Sequence, residues 1–219
     1  MNEAAAGYDV VARRYAEEIG GEMPGKPVER ALYACFTELV APHTATGLPV
    51  ADVGCGPGHV TRYLADNGLP MLGLDASTGM ITVARERYPD LEFRVGTFAA
   101  LGVPDGAWAG AVAAYSIIHV EPDDRPAAYA ELARAVTPGG WLLLTFHTSE
   151  PGKFSAGSVE HIDQWWGYPV SLDFHFLDAD EAVADLARAG FVVMARTDRE
   201  PWPDVEAPTR RCHLLAQRH

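Results

Sequence analysis

Residues 50–65 read VADVGCGPGHVTRYLA. A short apolar run, 49–53, delivers the chain to Gly54, Gly56 and Gly58, and a helical pattern begins at His59. Ligands of open α/β sheets sit at the carboxyl ends of strands, and glycines there let the backbone take positive φ and approach a ligand closely. The helix start favours an anionic group. A dinucleotide site requires G-x-G-x-x-G. Here the order is G-C-G-P-G-H, with the third glycine one residue early and His59 where a glycine belongs. No Gly-Lys-Ser/Thr follows, so a phosphate-binding P-loop is excluded.

Working outward, strand and helix patterns alternate. Strands are expected at 49–53, 70–75, 91–96, 108–115 and 139–147, with helices at 59–67, 77–87 and 123–136. A Pro-Asp-Gly turn at 104–106 follows the third strand. The strands are continuous apolar runs, as in parallel sheets buried on both faces. Two helices, 8–20 and 27–41, precede this run. In the second, Val28, Ala31, Leu32, Cys35, Phe36, Leu39 and Val40 recur at helical spacing, with Pro27 near the start and Pro42 past the end. Residues 148–176 break the rhythm and read as a long functional loop, ordered by its aromatic side chains. A helix closing at Gly190 and two strands, 191–197 and 210–218, complete the chain.

The 219 residues suit one domain, and 48% hydrophobic with 21% charged residues is ordinary for a soluble protein. The net charge is −13 and Lys153 is one of only two lysines, so a nucleic-acid partner is excluded by repulsion. No apolar run approaches the ~18 residues of a membrane span, and the N-terminus lacks a basic-then-apolar leader. Cys35, Cys55 and Cys212 are far apart and odd in number, which fits a reducing cytoplasm with neither disulfides nor a metal. His119, His147, His161 and His175 match no metal-ligand spacing.

The form D-x-G-x-G-x-G, with Asp52, Gly54, Cys55, Gly56 and Gly58, resembles motif I of the class I methyltransferases that use S-adenosylmethionine. The resemblance runs from about residue 50 to 147 and more loosely to the end. It implies a Rossmann-like, doubly wound, mostly parallel seven-stranded sheet with an antiparallel last strand and an N-terminal helical cap. It implies that the glycine loop holds the methionine part of the cofactor. Asp75 in "GLDAS", 19 residues beyond Gly56, can accept hydrogen bonds from both ribose hydroxyls. Read alone it is equally a helix cap or turn residue. Ala76 and Met80 match positions beside adenine and ribose. Where the family often has Gly-Asp, this chain has Gly96-Thr97, so adenine falls to Thr97 and to the backbone of Phe98 and Ala99. Tyr115 and Ser116 match positions beside the sulfur. Gly139 and Gly140 resemble the structural turn entering the fifth strand.

The resemblance implies in-line transfer of a methyl group to an O or N nucleophile of a small molecule, and alignment alone supplies several kcal/mol of such a barrier. His119, just past the fourth strand, is the candidate base, with an unperturbed pKa of ~6.5. Trp165, Trp166, Tyr168, Asp173 and His175 of the long segment are candidates for the acceptor site. The first helices, with Tyr8, Asp9, Arg13, Arg14 and Tyr15, resemble a mobile cap whose first residues, 1–7, are loosely anchored. Tyr15 and Arg30 are its candidates for cofactor or acceptor contacts. The expected organisation is a single domain: cap 1–45, cofactor core 46–147, acceptor-site insertion 148–176 and closing helix and strands 177–219. It acts as a monomer or homodimer. A nicotinamide oxidoreductase and a non-catalytic S-adenosylmethionine-binding regulator are the alternative readings.

Overall fold

A computed structural model describes residues 3–219. Seven strands form one sheet in the order β3-β2-β1-β4-β5-β9-β8. They are β1 (Val50–Val53), β2 (Met71–Asp75), β3 (Glu92–Val95), β4 (Trp108–Ala114), β5 (Val136–Ser149), β8 (Phe191–Arg199) and β9 (Arg210–Arg218). The first five pair in parallel, and β9 runs antiparallel between β5 and β8. The strand order reverses between β1 and β4, and a crevice opens there at the carboxyl edge.

Alternation along the strands divides the core. Val50, Val112, Leu143 and Leu215 face Phe36 and Val40 of α2 (Pro27–Thr44) and Leu64 of α3 (His59–Asp66). Ala51, Ala111, Ala113, Leu142 and Leu144 face Tyr129 and Leu132 of α5 (Arg125–Ala135) and Leu186 of α6 (Ala179–Arg188). The expected doubly wound sheet is present, with strand and helix ends within a few residues of their predicted places.

Three local expectations are revised. First, α2 runs through Pro42 to Thr44. Proline in a last turn removes a single N–H from the ladder, and the Ala45 N–H still reaches the Ala41 carbonyl at 3.2 Å. Its buried face is Glu29, Tyr33, Phe36 and Val40, whereas Ala31 and Cys35 are exposed.

Second, the supposed loop 148–176 carries an antiparallel hairpin, β6 (Val159–Trp165) with β7 (Tyr168–His175). Trp166 and Gly167 join the strands with φ of 50° and 82°, the double positive φ of a type I′ turn. Third, of residues 1–7, expected to be loosely anchored, 1 and 2 lie outside the described residues and 3–7 are helical. The latter belong to α1 (Glu3–Glu18), and Gly7 lies so close to β7 that an added Cβ would sit 2.8 Å from the Leu172 side chain.

The α1 helix packs on α4 (Thr78–Arg87) through Ala12, Ala16, Met80 and Val83. Its Asp9 carboxylate accepts the Ser77 hydroxyl at 2.6 Å and the Gly79 N–H at 2.7 Å, so α1 helps cap α4. Arg13 pairs with Glu86, and Arg87 donates to the Ala16 carbonyl. Together α1 and the hairpin cover the carboxyl edge of the sheet.

Candidate active site

Beneath that cover lies a cavity of about 480 Å³. Fourteen of the predicted residues line it: Tyr15, Asp52, Gly54, Cys55, Gly56, Asp75, Ala76, Met80, Thr97, Phe98, Ala99, Tyr115, Ser116 and His119. They span the sequence from Tyr15 to His119 and are brought together by the parallel strands and by α1.

The glycines of the opening motif divide the labour. Gly54, at φ 78°, lies against Ser116, where an added Cβ would stand 2.1 Å from the serine Cβ. Ser116 in turn donates to the Val53 carbonyl at 2.6 Å, which locks the ends of β1 and β4 together. Gly56, at φ 53°, has only the Tyr15 ring within 4.0 Å of its missing Cβ. Its bare Cα fronts open cavity, and a ligand can approach the backbone there. Gly58 does not line the cavity. At φ 83° it begins α3 with the Phe93 ring 2.7 Å from an added Cβ, so it is a packing glycine.

Two carboxylates serve this loop. Asp75 accepts the Gly56 N–H and the Ser77 N–H, both at 2.8 Å. Ser77, rather than Asp75, supplies the side-chain cap of α4. Burial raises the Asp75 carboxyl to about 6, opposed by those two N–H groups. Asp52 is buried, accepts the Thr61 hydroxyl at 2.7 Å, and is likewise raised to about 6 by burial. Burial also pushes the Cys55 thiol up, which leaves it protonated and unreactive.

His119 departs from the expectation of a base titrating near neutrality. Its Nδ1 is 2.8 Å from the Asp173 carbonyl oxygen, and its Nε2 is 2.7 Å from the Tyr8 hydroxyl. A carbonyl only accepts, so Nδ1 carries the hydrogen and Nε2 accepts from Tyr8. Burial depresses the ring to about 4. Tyr8 lines the cavity beside it, and burial raises its phenol further above the ordinary range.

The hairpin residues form an outer shell, and none of the five predicted ones lines the cavity. Trp165 packs edge-on to Tyr8 and Tyr15, with ring centres 5.9 and 5.6 Å apart, and stacks on Trp166 at 4.5 Å. Tyr168 is exposed. Asp173 offers its main-chain carbonyl to His119 and its carboxylate to His161. His175 is buried, 3.7 Å from Glu121.

A polar stripe on the α2 side escaped the sequence reading. Glu22, Lys26, Glu29 and Tyr33 recur at helical spacing and line the cavity. Lys26 pairs with Glu22 at 2.8 Å, and Glu29 pairs with Arg199 and receives the Tyr115 hydroxyl at 3.3 Å. Tyr115, at φ 56°, stacks on His147 at 4.8 Å. Arg30, a predicted contact, instead ties the Met23 and Pro24 carbonyls of the preceding turn. The signal available was the three- and four-residue spacing of charge at 22, 26 and 29; Glu22 and Lys26 precede α2, so no single helix pattern carried it. Among the described residues, no group of three or more His, Cys, Asp or Glu could hold a metal ion. No described helix is long and apolar enough to cross a membrane.

Residues 50–140 match the Methyltransferase domain family. Among curated proteins, the chain is 30% identical over 150 residues to a demethylmenaquinone methyltransferase of Beutenbergia cavernae, covering 68% of this chain and 60% of that protein. It is 31% identical over 120 residues to a malonyl-[acyl-carrier protein] O-methyltransferase of Serratia marcescens, covering 55% and 44%. The matched region thus spans about half the length of these relatives. Among solved structures, the CcbJ methyltransferase from Streptomyces caelestis aligns over 100% of this chain and 99% of its own, with TM-score 0.73 and 17% identity, a likeness of fold. Motif, strand order and matched domain agree: the chain belongs to the class I S-adenosylmethionine-dependent methyltransferase family.

Proposed function

We propose that this chain transfers a methyl group from S-adenosylmethionine to a small-molecule acceptor by in-line displacement. The observation that carries the reading is the juxtaposition, in one covered cavity, of the open Gly56 backbone with the buried Asp75 carboxylate. When bound, the cofactor supplies an electrophilic methyl on a positively charged sulfur. The chain's own residues do the rest. Asp75 receives the ribose hydroxyls, and the Gly54–Gly56 backbone lies along the methionine portion. Lys26 takes the cofactor carboxylate, and Asp52 supplies negative charge near its ammonium. Ala76, Met80, Phe98 and Ala99 pack the adenine, with Thr97 at its polar edge. Tyr15 covers the glycine loop, and α1 excludes water from the reacting centre. Tyr115 and Ser116 border the sulfur side.

In this reading the chain is one methyltransferase domain. Residues 1–45 form the cap and 46–147 the cofactor core. Residues 148–176 back the acceptor side, and 177–219 complete the sheet. Trp165, Trp166, Tyr168, Asp173 and His175 then shape the acceptor site from behind Tyr8 and His119 rather than by direct contact. The protein acts in the cytoplasm as a monomer or homodimer. The nicotinamide alternative has His59 against it at the position a dinucleotide loop gives to glycine.

Thermal denaturation tests the reading. Millimolar S-adenosylmethionine and S-adenosylhomocysteine should each raise the melting temperature by several degrees, since a ligand at 100 times its Kd adds about 2.7 kcal/mol. Reduced nicotinamide dinucleotide should add nothing. No shift with either sulfur ligand sinks the proposal.

A further inference from the structure

We propose that the Tyr8 hydroxyl oxygen is the cavity's hydrogen-bond acceptor for the nucleophile, and that this nucleophile is an uncharged amine bearing an N–H. The inference rests on the methyl-transfer reading. Its own basis is the chain of contacts from α1 through His119 to β7.

The Asp173 carbonyl forces the hydrogen of His119 onto Nδ1. The Nε2 lone pair is therefore turned to Tyr8, and the Tyr8 proton points at it across 2.7 Å. A phenol whose proton is committed in this way can no longer donate into the cavity. It presents oxygen lone pairs alone, and an N–H or O–H is what they recognise. His119, which acts through Tyr8, is a positioning residue.

The same contacts choose between nucleophiles. An aliphatic alcohol has to surrender its proton to become reactive. Both nitrogens of His119 are already engaged, and its ring, held near 4, is a poor destination for that proton. A neutral amine brings its own lone pair. The N–H held by Tyr8 turns that lone pair toward the methyl group. As the N–C bond forms, the C–S bond breaks and its electron pair returns to sulfur, leaving a neutral thioether. The product is a methylammonium that sheds its extra proton to water on release. No protein base is consumed.

The arrangement is assembled from three elements. Tyr8 rides on α1, His119 follows β4, and Asp173 belongs to β7. Phe174 and Trp165 hold the pair edge-on, at 4.9 Å from His119 and 5.9 Å from Tyr8. With α1 undocked, His119 remains but the oxygen that orients the amine is gone.

The test uses the full chain and begins with S-adenosylhomocysteine, whose binding by titration calorimetry checks the methyl-transfer reading separately. The loaded protein is then titrated with aniline, an uncharged amine at neutral pH, and with N,N-dimethylaniline and phenol. Aniline should bind at least tenfold more tightly than its dimethyl derivative. In Tyr8→Phe that ratio should fall to within twofold, while S-adenosylhomocysteine affinity changes less than threefold. With S-adenosylmethionine, mass spectrometry should find N-methylaniline and little anisole. Histidine nitrogen NMR should show His119 as the Nδ1–H tautomer in the wild type, with Nε2 shifted toward its unbonded frequency in Tyr8→Phe. Absence of aniline binding to the loaded protein, an unchanged ratio in Tyr8→Phe, preferential formation of anisole, or the Nε2–H tautomer would each overturn the inference.

Discussion

At the scale of single residues, the site depends on buried groups whose charge state the ligand decides. Asp75 and Asp52 both titrate near 6 without ligand, because burial disfavours their charge. On the proposed reading, ribose hydroxyls donating to Asp75 and a cofactor ammonium near Asp52 favour the ionised forms. Cofactor affinity should therefore be constant above pH 7 and fall as pH drops through 6, by up to about tenfold per unit for each carboxylate. Isothermal titration from pH 5 to 8 checks this, and a flat profile would remove both carboxylates from the cofactor site. Asp75→Asn keeps the shape and loses the charge. With each hydrogen bond to a charged group worth about 1.5–3 kcal/mol, it should weaken cofactor binding by about a hundredfold or more. Gly58→Ala tests the opposite kind of residue. It forces a left-handed φ onto alanine and drives a methyl into the Phe93 ring, so denaturant unfolding should show a loss of about 2–4 kcal/mol.

At the scale of elements, α1 is the informative one. Its latch is Asp9, which holds the Ser77 hydroxyl and the Gly79 N–H at the start of α4. Gly79 has no room for a side chain, since an added Cβ would lie 2.9 Å from the Asp9 backbone. Asp9→Ala should destabilise α1 docking by about 1 kcal/mol, the usual worth of a helix cap, and hydrogen exchange should quicken in residues 4–18 before it does in the sheet. Uniform quickening would mean that α1 is not a separable unit.

The elements also show how far the chain can be read unaided. The β/α alternation, the glycine loop and Asp75 are local patterns, because each strand is buried on both faces and each turn uses residues adjacent in sequence. The hairpin at 159–175 was illegible. It stands off the main sheet, exposes side chains on both faces, and so lacks the apolar alternation that marks a strand. Its turn was legible in principle, though Trp166 stood where asparagine or aspartate usually signals a type I′ turn. The charge of Glu29 on α2 was hidden for a related reason: its partners, Tyr115 and Arg199, lie 86 and 170 residues later. The contact between Tyr8 and His119 spans 111 residues and belongs to the tertiary fold alone.

At the scale of the whole molecule, the histidines and the two aspartates pull stability in opposite directions with pH. His119 and His213 are depressed to about 4 and His147 to about 3, chiefly by burial. A base whose folded pKa is lowered stabilises the fold above its unfolded value of ~6.5 and loses that contribution as pH falls toward the folded value. Between about pH 4 and 6 the unfolded chain carries three more protons on these rings, while the folded chain carries two on Asp52 and Asp75. For these five groups the net is one proton, so they make stability fall by about 1.4 kcal/mol per unit as pH drops, and His175, also held low by burial, acts in the same direction. With cofactor holding both aspartates ionised, the net of the same groups becomes three and their slope about 4 kcal/mol per unit. The ion-paired Glu22, Glu86, Asp90, Glu131 and Glu206, all held low, add in the same direction. Urea midpoints across pH 4–7, with and without S-adenosylhomocysteine, measure both slopes. Equal slopes in the two series would contradict the assignment of the aspartates.

The position of α1 has a kinetic meaning as well. One helix roofs both halves of the cavity, with Ala4, Ala5 and Tyr8 above one part and Tyr15 above the glycine loop. α1 is thus a cover common to both parts, while exposed Thr97, Ala99, Glu121, Asp124 and Ala127 line the rest of the rim. On the proposed reading, lifting α1 uncovers donor and acceptor sites together. Where that motion limits release, added viscogen should slow steady-state turnover while leaving a single enclosed transfer unchanged.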